Sequence, residues 1–454
     1  MTTGLGILIG IIFLVYSLMS TVRPMWAFTL LVIMWGLEQL IQSYIPFFYD
    51  NGILFNIYVA GIVGVAAARR VLLSEANIKE YLNLTMLCTT LLYLLGFASL
   101  LWSQGGTVAT EVITWLTPYI FIGVYLATLL PSRIEDFNEF RKVFLIAGTL
   151  IAVFIVINPN FQFYGDRAMV NLGGTSKRGN PLALAEVGAL LAVTAAISRD
   201  RGITGFKIAL RAAMVIIGLG LALQTGSRGQ VIAAAVVIIF LYPTARKSEN
   251  LGQTFINLVG VFAFAFFIYF AASSFITNEN LKRWSIYSLI EGGSGRLEFV
   301  WMYMLEFVKS PQAWLIGFGT QSFSEVVPGA PANMVENLFA ETLFELGFVG
   351  FGLMLVIIFN TVFKAIWLIK NSPDESARIN SVLLFGFWLC YVLLAAKQYN
   401  LWTGFAFFYT SIVITKCALV AQREWPELEE EEYEYSDEYD PVDESYDEHN
   451  AHSY

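Results

Sequence analysis

The 454-residue chain is 57% hydrophobic and only 14% charged, with a mean hydropathy of +0.63. A water-soluble fold cannot cover that much apolar surface, so most of this chain has lipid as its solvent. The formal charge of −9 conceals two unlike parts: 14 of the 36 acidic residues fall in the stretch 424–454, leaving 22 acidic against 27 basic residues in the body.

The N-terminal apolar segment lacks a small-residue cleavage site and is followed by many more, so it is read as a retained span. Counting about 20 apolar residues per crossing, candidate spans lie at 4–22, 25–46, 53–69, 82–102, 112–131, 143–158, 181–198 and 208–224. They continue at 229–245, 254–275, 347–369, 379–397 and 401–420. No alternating barrel pattern accompanies them, and backbone satisfaction in lipid then requires helices. The expected fold is all-α and polytopic, with about 12–14 transmembrane helices. Residues 1–423 form the membrane domain, and 276–346 a large extracytoplasmic loop bearing short amphipathic helices. The stretch 424–454, with no Lys or Arg and no apolar pattern, is expected to be a disordered acidic tail.

Orientation follows from Lys and Arg in the short loops. Arg69, Arg70 and Lys79 share one loop, and Arg133, Arg141 and Lys142 another. Arg199, Arg201, Lys207 and Arg211, then Arg246 and Lys247, then Lys364, Lys370 and Arg378 complete an alternation on one side, expected to be cytoplasmic together with the tail. By parity 159–180, 225–228 and 276–346 face outward. Those stretches nevertheless carry Arg167, Lys177, Arg178, Arg228, Lys282, Arg283 and Arg296. Basic residues on the disfavoured side point to an anionic ligand there.

Arg228 lies in a tight Gln-Thr-Gly-Ser-Arg-Gly-Gln turn between two spans, where a guanidinium either snorkels to headgroups or offers its planar fork to phosphate oxygens. Arg178 precedes Gly-Asn-Pro, in which Asn180 caps and Pro181 opens the next helix; alone it is also an ordinary loop charge. Arg296 follows a Gly-Gly-Ser-Gly turn and opens an amphipathic segment, 297–309, as a ligand-binding residue or as an interfacial anchor. Glu336 heads the run Glu-Asn-Leu-Phe. It reads either as a base accepting a proton from a sugar hydroxyl or as a helix-start glutamate favoured by the macrodipole. Glu341 and Glu345 do not share its face and can instead pair structurally with an arginine. Arg167 and Arg283 are further candidates without a surrounding motif. Lys397 and Tyr399, at an outward helix junction, either reach the site or, for Lys397, pair with a buried acid. Glu38, Gln39 and Gln42 read as helix–helix hydrogen bonding.

Three classes of chemistry are excluded. Cys88, Cys390 and Cys417 all sit in apolar segments, which leaves no disulfide framework or thiolate metal site. His449 and His452 are the only histidines, both in the tail, so histidine catalysis or metal binding in the body is ruled out. There is no P-loop, nucleotide-binding glycine motif or zinc spacing, and no nucleic-acid partner is expected.

Four motifs follow one another between residues 160 and 400. They are Thr-Gly-Ser-Arg-Gly at 225–229, Ser-Gly-Arg-Leu-Glu-x-x-Trp at 294–301, Gly-x-Gly-x-x-x-Phe at 317–323, and Asn-Leu at 337–338 leading to Glu-Leu-Gly at 345–347. In this order the chain resembles the O-antigen ligase/polymerase superfamily. The resemblance implies a GT-C-like glycosyltransferase of the bacterial cytoplasmic (inner) membrane, with its active site on the extracytoplasmic face. It implies undecaprenyl-diphosphate-linked glycans as substrate, membrane lipids as surroundings, and a flippase and chain-length regulator as partners. Arginines bind the donor diphosphate in that family, a role carried to Arg228, Arg296 and Arg178, with no metal or cofactor required. Ligases keep histidine eleven residues before the motif glycine, and here Glu336 stands eleven before Gly347. That departure favours polymerase over ligase. The rival readings are a lipid-linked oligosaccharide flippase or transporter, and an inactive scaffold.

Overall fold

The computed structural model describes residues 2–73, 78–173, 175, 177–198, 204–246, 286–327 and 336–437, together with 252, 259–260, 266 and 284. Side chains at 2–3, 78–79, 286–296 and 426–437 are not described. The expected span 254–275 apart from 259–260 and 266, together with Arg283 and the acidic stretch beyond 437, therefore lies outside the described residues.

The chain is an all-α polytopic membrane protein. In chain order the principal helices are α1 (Thr2–Val22), α2 (Pro24–Tyr44), α3 (Gly52–Leu72), α4 (Leu84–Ala98), α5 (Gly106–Ile120) and α6 (Phe137–Val156). After a short hairpin come α7 (Pro181–Ile197), α8 (Gly205–Gln224), α9 (Arg228–Thr244) and α10 (Ile286–Lys309). The series ends with α11 (Leu338–Lys370), α12 (Glu375–Ala395) and α13 (Phe405–Asp437). Nine helices among the described residues are long and apolar enough to cross a membrane. The expected spans at 181–198 and 229–245 are the shorter apolar helices α7 and α9. The one at 143–158 lies within α6, whose first turns hold Glu139, Arg141 and Lys142.

Helices α2, α12 and α13 form the buried centre, whereas α1 exposes most of its apolar surface, as a lipid-facing helix must. The tightest crossing is between α7 and α8. A Cβ at Gly188 would stand 2.4 Å from the Gly218 carbonyl, and one at Gly218 2.5 Å from the Gly188 carbonyl. Small residues permit this backbone approach where lipid supplies no hydrophobic drive between helices.

The two ends of the bundle differ in chemistry. At one end the loop basic residues are paired: Arg70 with Asp136 at 2.8 Å, Arg23 with Glu139 at 2.9 Å, Arg423 with Glu80 at 2.5 Å and Arg133 with Glu424 at 3.0 Å. Trp425 is buried and stacks on Trp367. Glu424 and Trp425 thus pack on the body, and α13 stays helical to Asp437. The opposite end gathers the described parts of 159–180, 225–228 and 276–346, the stretches that parity placed on one face.

Three local features add to or differ from the helical layout. Stretch 159–180 contains an antiparallel hairpin, Phe161–Tyr164 with Arg167–Val170, so the fold is not purely helical. The two-residue Gly165-Asp166 turn suits a hairpin because Gly165 takes a positive φ. Gly-Gly-Ser-Gly at 292–295 is not a turn but the middle of α10. The far half of α10 anchors it: Tyr303 and Phe307 pack with Phe318, Phe323 and Phe344 in a separate aromatic core. Helix α11 is also two helices, broken at Gly347 (φ 65°, ψ −164°). The 314–319 loop closes that break. The N–H groups of Phe318 and Gly319 bond the carbonyls of Phe344 and Glu345, both at 2.9 Å. Phe348 and Val349 bond the carbonyls of Trp314 and Leu315 at 2.7 and 3.1 Å. The glycine spacing of the two final motifs therefore serves this joint.

Candidate functional site

The turn between α12 and α13 is the hub of the hairpin-bearing end. The Asn400 side chain accepts from the backbone N–H groups of Trp402 and Thr403 at 3.0 and 2.8 Å, a side-chain-closed turn that fixes the preceding residues. Lys397 and Gln398 consequently reach α9, and Tyr399 reaches α7. The Lys397 ammonium lies over the first turn of α9, where a Cβ on Gly229 would meet it at 2.5 Å. Gln398 accepts from Gln230 Nε2 at 3.0 Å. Tyr399 donates to Glu186 of α7 at 2.5 Å. Burial, then the adjacent Glu186 carboxylate, holds the Tyr399 phenol well above the ordinary tyrosine range, so it remains a donor.

Arg228 is the first residue of α9, and Ser227 before it makes no side-chain cap. The positive end of the helix dipole, Arg228 and Lys397 therefore share one small region. A helix N-terminus with basic side chains beside it is a setting in which anions bind.

Glu336 joins the same hub, though not as a helix-start residue. It adopts φ 52°, and α11 begins at Leu338 with Asn337 as its cap. Asn337 Oδ1 accepts from Ala340 N at 3.0 Å while its Nδ2 donates to the Ala396 carbonyl at 3.0 Å. Asparagine outcompetes glutamate at an N-cap because its shorter side chain reaches the N3 amide. That pair of bonds ties Glu336 to the turn carrying Lys397. Asn337→Ala should cost about 1 kcal/mol for the cap and a similar amount for the cross-link. Thermal unfolding is then expected to fall by roughly 2–4 °C, and Asn337→Asp should recover the cap share alone. An unchanged midpoint in Asn337→Ala would rule out this tie.

Arg178 is placed differently. Its guanidinium lies over the Tyr164 ring at 4.0 Å, its backbone bridges Asn171, and it lines a cavity of about 540 Å³. Glu38, Gln39 and Trp35 of α2, Tyr119 of α5, Glu186 of α7, and Gln398 and Tyr399 of the hub line the same cavity. Arg167 sits at the hairpin turn, in register with Tyr164. Arg296 lies within α10, its side chain among those not described.

Of the carboxylates Glu186, Glu341 and Glu345, the motif reading missed Glu186, whereas the other two take a different partner from the one expected. Glu186 is the only charged residue in the apolar run Pro181–Ile197, and a lone carboxylate in a membrane helix is itself a functional signal. Glu341 and Glu345, i and i+4 on one face, are both buried beside the 317–322 loop. Gln321 Nε2 donates to Glu341 at 3.4 Å, and the Gln321 and Ser322 amides face Glu345, so their described neighbours are that loop and not an arginine.

No family model matches this chain, and a search of curated proteins finds no match either.

Proposed function

We propose that this protein is a GT-C-like glycosyltransferase using a lipid-diphosphate-linked glycan, acting as a polysaccharide polymerase of the O-antigen ligase/polymerase kind. The observation that carries the reading is the hub at 396–400. It brings Lys397 over the Arg228 end of α9 and is bonded to Asn337, next to Glu336. Cations, a helix N-terminus and a carboxylate from three separate segments meet at one end of the bundle.

In the proposed reaction an acceptor sugar hydroxyl attacks the anomeric carbon of the donor glycan. The new C–O bond forms as the bond from that carbon to the diphosphate oxygen breaks, with inversion. The bonding electrons leave on undecaprenyl diphosphate, and the hydroxyl proton passes to Glu336. Arg228 and Lys397, with Arg296, stabilise the charge that develops on the leaving diphosphate, while Arg178 lines the adjoining cavity. The growing chain moves onto an incoming lipid-linked repeat unit. In the ligase alternative it moves onto a lipid A core or a protein hydroxyl. The reading places the protein in the bacterial inner membrane with the hub outside, and flippase and chain-length partners alongside.

A transport reading has one observation on its side, the discontinuous helix α11, since broken helices bind substrates in many transporters. Here, however, the 314–319 loop already caps four backbone groups flanking the break.

The test is to incubate purified protein with a lipid-linked repeat unit and separate the products on a gel. A ladder is the expected result, a single shifted acceptor band would mean ligase, and no product would overturn the enzyme reading. Glu336→Gln should lower turnover about 10²–10⁴-fold, the usual worth of a general base, with the protein still folded. Undiminished turnover in Glu336→Gln would remove Glu336 from the mechanism.

A further inference from the structure

The cavity behind the hub has a chemistry of its own. Its charged lining is one guanidinium, Arg178, against two carboxylates, Glu38 and Glu186. A phosphate entering it would meet two acidic side chains beside a single guanidinium. Hydrogen-bond acceptors are in excess as well. Glu38 accepts from Gln42 at 2.9 Å and Glu186 from Tyr399 at 2.5 Å, and a carboxylate has about four acceptor positions to fill. The buried Gln39 Oε1 has no hydrogen-bond partner. A ligand suited to such walls presents several O–H or N–H donors.

The rest of the lining narrows the class. Trp35 and Tyr119 pack together, ring centroids 5.8 Å apart and planes at 34°, and both line the cavity. Aromatic faces beside carboxylates and amides match a ring that is apolar on its face and hydroxylated at its edge. The volume of about 540 Å³ lies within the ~300–1,000 Å³ typical of small-molecule sites. Position agrees with this. Gln398 lines the cavity and also bonds Gln230, two residues from Arg228, so the chamber adjoins the cationic hub.

We propose that this cavity is a saccharide-binding subsite. Glu186, held by Tyr399, accepts hydroxyl hydrogen bonds there, and the Trp35–Tyr119 pair stacks on the sugar ring. Resting on the glycosyl-transfer reading, it is the subsite for the acceptor glycan, with the donor diphosphate at the hub outside it.

The experiment is saturation-transfer NMR on the purified full chain in lipid nanodiscs. The probes are glucose, galactose, mannose, rhamnose, N-acetylglucosamine and N-acetylgalactosamine, offered singly. The expected result is transfer to at least one sugar, weakened about tenfold or more in Glu186→Gln and in Trp35→Ala, and retained in Gly352→Ala. Hydrogen bonds to charged groups are strong enough to produce a change of that size. Trp35, about one-third exposed, gives a second variant should Glu186→Gln fail to fold. Transfer to none of the six, or binding that neither cavity variant alters, overturns the proposal; a cavity filled by lipid gives the first of these outcomes. If sugar binds as expected while lipid-linked glycan is never turned over, the subsite stands and the glycosyl-transfer reading falls. If turnover proceeds and the cavity variants leave the acceptor KM unchanged, the subsite falls and the reading stands.

Discussion

Gly347→Ala is expected to destabilise the protein by about 4 kcal/mol or more. At φ 65° and ψ −164° the backbone lies in a region open essentially to glycine alone, where any other residue incurs roughly 1–3 kcal/mol of strain. A Cβ there would also stand 2.4 Å from the carbonyl carbon and oxygen of Leu315. Those atoms are main chain and cannot rotate away, so the 314–319 loop must retreat. Its retreat breaks some of the four bonds that close the gap in α11, and each buried backbone group left unpaired costs about 1–3 kcal/mol. Against a typical total stability of about 5–15 kcal/mol, the loss should appear as a sharply lowered unfolding midpoint and a reduced monodisperse yield in detergent. Gly352→Ala is the control. It lies on the same helix with nothing within 4 Å of its Cβ position and should be neutral or stabilising by up to about 1 kcal/mol. Equal midpoints for the two variants would show that the break does not carry the loop.

Most of the helical layout was legible because a bilayer imposes length and apolarity on a segment whatever its tertiary contacts. Where the chain leaves the lipid, local signals compete with packing and the reading becomes less secure. Four residues rich in glycine at 292–295 read as a turn, yet α10 runs through them; what fixes α10 is Tyr303 and Phe307 meeting Phe344 from another helix. Glu336 read as a helix start because acidic residues favour that position, but the capping bonds come from Asn337. The hairpin at 161–170 carried its signal in Gly165-Asp166, between strands of four residues each, too short for a periodic pattern to stand out. Arg228, Glu336 and Lys397 were legible as candidates, while their relation through the 396–400 turn was not, since no spacing reveals that Gly229 lies under Lys397. Glu186 was the reverse case. It was visible as a lone carboxylate in an apolar run, and its role becomes readable only with Tyr399 beside it.

Arg228→Ala should lower turnover of a lipid-linked glycan about 10²–10³-fold, the range found when one preorganised donor to a developing oxyanion is removed. The charge on a diphosphate leaving group grows as the glycosidic bond breaks, so the loss should fall mainly on kcat and less on KM. Arg228→Lys separates charge from geometry. An ammonium at the α9 N-terminus keeps the positive field but lacks the two-pronged fork that grips two phosphate oxygens, and it should recover only part of the rate. Thermal unfolding measured beside the kinetics distinguishes a binding arginine from a structural one. The first α9 turn is closed by Ser227, whose carbonyl accepts from Gln230 and Val231 at 3.2 and 3.4 Å, and these main-chain bonds do not need the guanidinium. An Arg228→Ala midpoint close to that of the unaltered protein would assign the guanidinium to ligand binding. A variant that loses stability and rate together would assign Arg228 to the scaffold, and one that keeps full turnover would remove the hub from the chemistry. A large fall in kcat at constant stability is the outcome that the joining of Arg228, Lys397 and a helix N-terminus demands.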